Sequence, residues 1–200
     1  MDFRNGPIHL NYNALNLDIP ALGELFELNY QKWRNPNYEN VASLTRHQVE
    51  YDKDFNTLLV KVCGLDTSLT SIARLEKVWL VKTQHKDTHP TTLPFIPHVD
   101  YRRYLKVMLY VDKVTSEHGP FSAVAQDPEQ YEMLRRSLPP DYKSSMLNRV
   151  DVPFEQFTAY TGEAGDIIFF DTNIPHFAGQ VRPGLTRRVL RFDFTYLENE

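Results

Sequence analysis

His98 and Asp100 stand two residues apart in "LPFIPHVDYRRYLKVMLYVD", at the lip of an apolar, strand-like run. In extended backbone, residues i and i+2 face the same side, so the two side chains can hold one ion between them. Pro94 and Pro97 favour extended backbone in the approach. A His-x-Asp pair alone fits a surface or a core as well as a ligand set. A third donor has to come from another strand, and "GEAGDIIFFDTNIPHFAGQV" offers His176 after a glycine-bounded apolar strand. Two histidines and one carboxylate with open positions remaining suit non-haem Fe(II) in oxygen chemistry. Zinc in a hydrolytic site uses the same three groups.

A basic residue follows downstream. Arg187 enters the strand "RRVLRFDF" and is placed to grip a carboxylate by a two-pronged contact. Arg188 and Arg191 compete with it. Alternation groups Arg187 with Val189 and Arg191, and Arg188 with Leu190, Phe192 and Phe194. It does not say which set looks inward. Arg188 and Arg191 read most simply as solvated charges.

These residues need a frame. "DIPALGELFELNYQKWR" reads as a helix, with Asp18 as cap, Pro20 in the first turn, and Leu22, Leu25, Phe26 and Tyr30 on one face. "SLTRHQVEYDKDFNTLLVKVCGL" reads as helical in part. From Glu76 onward the texture becomes short β-like runs: "EKVWLVKT", "YLKVMLYVD", "PFSAVAQD", "FEQFTAY", "GDIIFFDT", "HFAGQV" and "RRVLRFDFTYL". One helix interrupts them, "DPEQYEMLRRSL", with Asp127 as cap and Pro128 just inside. Residues 139–152 read as a long loop and a candidate lid, carrying Lys143 and Arg149. The pattern predicts a mainly β sandwich or barrel with helices on one side, as a single domain. Residues 1–75 form a mostly helical buttress and 76–197 the barrel.

The chain has 200 residues, 42% hydrophobic and 24% charged, with a net charge of −4. That is an ordinary composition for a globular domain with a real core. No Lys/Arg block marks a nucleic-acid footprint. The first residues lack the charged-then-apolar order of a secretory signal, and no apolar run approaches the ~18 residues of a spanning helix. The single cysteine, Cys63, cannot form an internal disulfide and reads as a small buried hydrophobe in a reducing setting. The expectation is a cytoplasmic protein with a small polar substrate and neither a nucleic-acid nor a membrane partner. Tyr101, Arg102 and Arg103, just past the His-x-Asp pair, and Arg149 in the long loop are candidates to meet an anionic substrate group.

The order His98-Val99-Asp100, then "LKVMLYVDKVTSEHGPFSAV", then "GEAGDIIFFDTNIPHFAG", then Arg187 resembles the phytanoyl-CoA dioxygenase-like family, over residues 76–197. The resemblance implies a double-stranded β-helix (a jelly-roll, cupin-like barrel) that binds Fe(II), 2-oxoglutarate and O₂. It implies His98, Asp100 and His176 as the iron ligands and Arg187 as partner of the distal carboxylate of 2-oxoglutarate. Along "YLKVMLYV", Leu105, Val107, Leu109 and Val111 form an apolar face, with Lys106, Met108 and Tyr110 on the other. Lys106 or Tyr110 is thereby a candidate contact for 2-oxoglutarate, against the plainer reading of Lys106 on an exposed sheet face. Family members often continue after the third barrel strand into a Pro-Gly-Ser-His segment, where this chain runs into a helix, so the resemblance implies no substrate. Asp100 stands where related halogenases have Gly or Ala, which points away from halogenation; the resemblance implies hydroxylation with release of succinate and CO₂, and the sequence does not separate it from desaturation or epimerisation. The rival readings are a cupin-like metal isomerase or hydrolase that ignores 2-oxoglutarate, and a non-catalytic binding barrel.

Overall fold

The longest strands carry side chains that alternate between two buried environments, and this alternation builds the molecule in layers. A computed structural model describes residues 6–10, 14–34 and 40–197. Residues 1–5, on which part of the signal-peptide reading rests, lie outside that description. In chain order the elements are β1 (Ile8–Leu10), α1 (Ile19–Lys32), β2 (Val41–Thr45), α2 (Arg46–Tyr51), α3 (Lys53–Leu65), α4 (Leu69–Ile72), β3 (Ala73–Gln84), β4 (Tyr104–Tyr110), β5 (Phe121–Ala123), α5 (Glu132–Ser137), α6 (Tyr142–Ser145), β6 (Thr158–Tyr160), β7 (Ile167–Asp171), β8 (His176–Ala178) and β9 (Thr186–Tyr196). Six strands form an antiparallel sheet in the order β1-β7-β4-β9-β3-β2, and three form a smaller one, β6-β5-β8. Single bridges extend the small sheet: His98 pairs with His176 on one side and with Arg149 on the other.

One face of the large sheet presents Leu105, Val107 and Leu109 of β4, Leu190, Phe192 and Phe194 of β9, and Val78 and Leu80 of β3. They pack with Leu22, Phe26 and Tyr30 of α1, Val49 of α2, and Phe55, Leu58 and Val62 of α3. Phe26 and Phe55 are fully buried there, and truncating either to Ala would cost about 3–5 kcal/mol. The opposite face meets the small sheet through a second cluster that includes Tyr110, Phe121, Ile168, Phe170 and Val189. The helices stand where their caps put them. The Asp18 carboxylate accepts from the Ala21 N–H, Thr45 and Gln48 form a reciprocal capping box, and Asp52 accepts from the N–H groups of Asp54 and Phe55.

Residues 1–75 differ from the sequence reading in two places. β1 and β2 add strands to opposite edges of the large sheet, and residues 43–45, read as helical, belong to β2. Ala42 and Leu44 alternate into the core, a pattern too short to outweigh the helical run behind it. Thr45 then ends the strand and caps the helix. "PFSAVAQD" contributes only β5, and "DPEQYEMLRRSL" divides into a 3₁₀ turn (Pro128–Tyr131) and α5. Gly119 has φ +63°, and a Cβ there would lie 2.3 Å from the Gly179 carbonyl oxygen, so only glycine lets the chain entering β5 pass the end of β8. Among the described residues no helix is long and apolar enough to cross a membrane.

Candidate active site

β8 begins at His176, and the segment carrying His98 runs beside it. The two residues exchange both backbone hydrogen bonds: the His98 N–H donates to the His176 carbonyl at 3.0 Å, and the His176 N–H to the His98 carbonyl at 2.9 Å. Each ring is fixed in the same way. Nδ1 of His98 lies 2.8 Å from the Ile96 carbonyl and Nδ1 of His176 lies 2.8 Å from the Ile174 carbonyl. A carbonyl only accepts, so Nδ1 carries a proton in each ring, and in the neutral ring the lone pair then sits on Nε2. Both Nε2 atoms point at one oxygen: Asp100 Oδ1 is 3.6 Å from His98 and 3.7 Å from His176. The three donor atoms all lie within 4.8 Å of one another, and both imidazoles are buried.

The connection between β7 and β8 holds Asp100 in place. The Asp100 N–H donates to the Thr172 carbonyl, Thr172 N–H to the Tyr104 carbonyl, and Tyr104 N–H to the Thr172 hydroxyl, at 3.1, 2.9 and 2.8 Å. Burial alone would raise the Asp100 carboxyl, but the Lys106 ammonium and the two imidazoles outweigh it and hold its pKa well below the ordinary carboxylate value. Burial, with His98 alongside, pushes His176 down to about 3, so its ring is neutral at physiological pH. Neutral imidazoles and an ionised carboxylate are the forms that bind a metal.

This cluster opens into a cavity of about 740 Å³ between the sheets. Alternation along β9 is resolved: Arg187, Val189, Arg191 and Asp193 border the cavity, while Leu190, Phe192 and Phe194 enter the helical core. Arg187 is 5% exposed, and its Nε and Nη1 are buried without a hydrogen-bond partner. Burial pulls its guanidinium below the ordinary range. An unpaired buried cation is costly, and a two-pronged anion is the natural complement to its vacant donors. The donor set and this vacant guanidinium fit a divalent metal together with a chelating dicarboxylate.

The remaining candidates divide. Lys106 is 7% exposed, not on a solvated face, and its ammonium contacts Asp100 Oδ2. Tyr110 is fully buried in the cluster between the sheets and does not border the cavity; its hydroxyl donates to the Tyr160 carbonyl at 2.6 Å. Arg102 lines the cavity mouth and is largely exposed. Arg103 does not reach the cavity, because Asp171 and Glu129 hold it at 2.8 and 2.5 Å. Arg149 is exposed and also outside. The loop of residues 139–152 is no free lid over its whole length. Val99 N–H donates to the Asn148 carbonyl and Val150 N–H to the Pro97 carbonyl, so its last part is an edge strand beside His98.

The wall differs from the sequence reading: Arg191, expected as a solvated charge, lines it, together with Trp79, Tyr142 and Asn148, which the sequence does not mark. Arg191 lies on the cavity side, gripped by Asp193 at 2.9 and 3.1 Å and set over the Trp79 ring, with the Trp79 Nε1–H donating to Asp193 at 2.9 Å. Its shared parity with Arg187 was the available signal. Tyr142 stacks on Tyr101 with ring centroids 4.9 Å apart, and Asn148 lines the same space.

Residues 17–189 match the family model of phytanoyl-CoA dioxygenase. Among solved structures, the chain is similar to the non-heme alpha ketoglutarate dependent carbocyclase SnoK from nogalamycin biosynthesis, with TM-score 0.63 and 15% identity over 96% of this chain and 79% of that one. It is similar to the non-heme alpha ketoglutarate dependent epimerase SnoN from the same biosynthesis, with TM-score 0.60 and 17% identity over 96% and 78%. HygX from Streptomyces hygroscopicus, with nickel and 2-oxoglutarate bound, gives TM-score 0.61 and 12% identity over 96% and 83%. A search of curated proteins finds no match. At these identities the structural likeness establishes the fold, a mainly β double-stranded β-helix with flanking helices. The family model covers most of the chain, and on that ground the protein belongs to the phytanoyl-CoA dioxygenase family.

Proposed function

We propose that this protein is an Fe(II)- and 2-oxoglutarate-dependent oxygenase that hydroxylates a small polar molecule. The observation that carries the reading is Arg187, a buried cation with two vacant donor atoms in the cavity that also holds the His98, Asp100 and His176 donors. A zinc hydrolase that takes no dicarboxylate leaves that charge unused, and a passive binding barrel leaves the three metal donors unused. Relatives in fold bind the same pair of groups or depend on the cosubstrate: HygX holds nickel and 2-oxoglutarate, and SnoK and SnoN are alpha ketoglutarate dependent.

In this reading His98, Asp100 and His176 hold the metal through Nε2, Oδ1 and Nε2. Arg187 pairs with the far carboxylate of 2-oxoglutarate. When bound, iron with 2-oxoglutarate and O₂ supplies the oxidising power to remove a substrate hydrogen, with release of succinate and CO₂. Phe121 and Phe170 pack against the His176 ring, with centroids 6.0 and 5.2 Å away, and give that part of the cavity an apolar wall. The polar wall of Arg191, Asp193, Tyr101 and Tyr142 is left for the substrate. A reducing cytoplasm suits Fe(II) and the lone Cys63.

Carbocyclisation and epimerisation are a second outcome of the same hydrogen removal, favoured by the reactions named for SnoK and SnoN. The class is tested by anaerobic titration of metal-stripped protein with Fe(II) and then 2-oxoglutarate. The expected result is the weak visible charge-transfer band of a bidentate complex. Iron uptake without the band overturns the cosubstrate. Turnover under isotopically labelled O₂ separates the outcomes, because only hydroxylation leaves label in the product.

A further inference from the structure

The two oxygens of Asp100 have different surroundings. Oδ1 faces both imidazoles, whereas Oδ2 is met by the Lys106 ammonium. Lys106 comes from β4, where its strand neighbours are Phe170 on β7 and Asp193 on β9. Phe170 offers no acceptor. Asp193 is an acid directly across the ladder, but both of its oxygens are engaged by Arg191, and one also by the Trp79 indole. The lysine is buried, so water does not compete for it, and Asp100 is left as its partner. Lys106 is also remote from Arg187. It pairs with Asp193, six positions along β9 from Arg187, a separation of ~20 Å along the strand. It therefore cannot share the far carboxylate of a cosubstrate seated on Arg187.

We infer that Lys106 is a positioning residue that keeps Asp100 a one-oxygen metal ligand by occupying Oδ2. This rests on the functional reading above. Asp100 is the half-buried member of the triad and borders the cavity; with the ammonium gone, the metal is the nearest cation left to Oδ2, and a carboxylate so placed binds through both oxygens. Two-oxygen binding by Asp100 would take one of the three positions that a chelating cosubstrate and O₂ need. The lysine thus sets how many positions stay open by holding Oδ2, not by pairing with the far carboxylate.

The test compares wild type with Lys106→Met, Lys106→Gln and Lys106→Arg. The readouts are 2-oxoglutarate affinity from the anaerobic Fe(II) band, and the Asp100 binding mode in crystals of the Ni(II)-loaded proteins. Lys106→Met removes the donor and Lys106→Gln shortens its reach and removes its charge; Lys106→Arg keeps both donor and charge. Met and Gln are expected to show Asp100 bound through two oxygens and to weaken 2-oxoglutarate by tenfold or more. Arg is expected to keep one-oxygen binding and an affinity within threefold of wild type. If Met fails to fold, Gln gives the same reading. One-oxygen binding in Met or Gln overturns the inference, and with lost 2-oxoglutarate affinity it assigns Lys106 to direct cosubstrate contact instead. If wild type itself takes up neither Fe(II) nor Ni(II), the functional reading fails and this inference with it.

Discussion

His98 and His176 sit directly opposite one another as a hydrogen-bonded antiparallel pair, exchanging backbone bonds of 3.0 and 2.9 Å while their rings lie 4.4 Å apart. The separation of their Nε2 atoms is therefore a property of the sheet rather than of side-chain packing. Divalent metal should stabilise the wild type by RT ln(1 + [L]/Kd), about 2.7 kcal/mol at a hundredfold excess over Kd. In His176→Ala or Asp100→Ala that gain should vanish, and Asp100→Ala should also lower the metal-free melting temperature because it strands the buried Lys106 ammonium. The check is thermal melting with and without Ni(II).

Arg187→Met should separate binding from stability. Loss of the two-pronged partner is expected to weaken 2-oxoglutarate about 100-fold or more, equivalent to about 3 kcal/mol. Without cosubstrate, the same change removes a buried charge with two unpartnered nitrogens, so the protein should unfold at the same temperature or higher. Titration and melting of one variant test both halves.

Arg188→Ala is the matching control, because the neighbouring side chain points the other way. Arg188 binds Asp112 at 2.7 Å and Glu27 of α1 at 3.0 Å, over the Phe26 ring. Its loss should cost about 1–2 kcal/mol in urea unfolding and leave 2-oxoglutarate affinity within twofold.

Asp171 ends β7 just before the turn that delivers His176. It accepts from Arg103 Nε at 2.8 Å, the Tyr196 hydroxyl at 2.9 Å and the Asn173 N–H at 2.9 Å, and is 2% exposed. Asp171→Ala would remove a buried acceptor from Arg103, Tyr196 and Asn173 while Glu129 still pairs with Arg103, and should cost about 1–3 kcal/mol. Metal affinity should fall as well, since the turn loses its anchor. Asp171→Asn, which keeps acceptor and shape, should recover part of both.

Glu132 sets an acid limit on stability. Hydrogen bonds from Arg135, opposed by burial and reinforced by Arg136, bring its carboxyl from 4.5 down to about 2. A depressed folded pKa contributes stability that is complete above pH 4.5 and is lost as pH falls from there through about 2. The full shift corresponds to about 3 kcal/mol, and solvent screening at its surface partners reduces this to about 1–2 kcal/mol. Glu132→Gln should flatten stability against pH in that window and leave the curve above pH 5 unchanged in shape.

The parts legible in the sequence were those that follow a two-residue or helical repeat. β4 reads correctly because Leu105, Val107 and Leu109 and then Lys106, Met108 and Tyr110 fall on separate faces, and α1 because its cap and apolar face agree. The His-x-Asp spacing was weaker evidence, since His85 and Asp87 repeat it. There the backbone turns as a 3₁₀ helix, His85 Nδ1 lies 2.8 Å from the Val181 carbonyl and Asp87 accepts from the Gln84 N–H, so no shared face forms. What separates the two pairs is the extended backbone that His176 imposes from 78 residues downstream. The wall residues Asn148, Tyr142 and Trp79 were not legible for a related reason: Asn148 and Trp79 reach the cavity through long-range backbone pairing and Tyr142 through stacking on Tyr101, none of which local pattern encodes. Arg103 was misjudged because its partners Asp171 and Glu129 lie far along the chain.

β9 is read from both sides at once. Arg187, Arg191 and Asp193 belong to the cavity, and Leu190, Phe192 and Phe194 to the helices, within one strand from Thr186 to Tyr196. A slip of one residue would exchange the two sets, driving Arg191 and Asp193 into the helical core and Leu190 and Phe192 into the cavity. Chemistry and folding therefore share a reading frame. The cavity wall can be rewritten by substitution, one alternate position at a time, whereas a one-residue insertion or deletion in β9 turns every later side chain to the wrong face unless a bulge absorbs it, as the β3–β9 ladder does between Leu75 and Lys77.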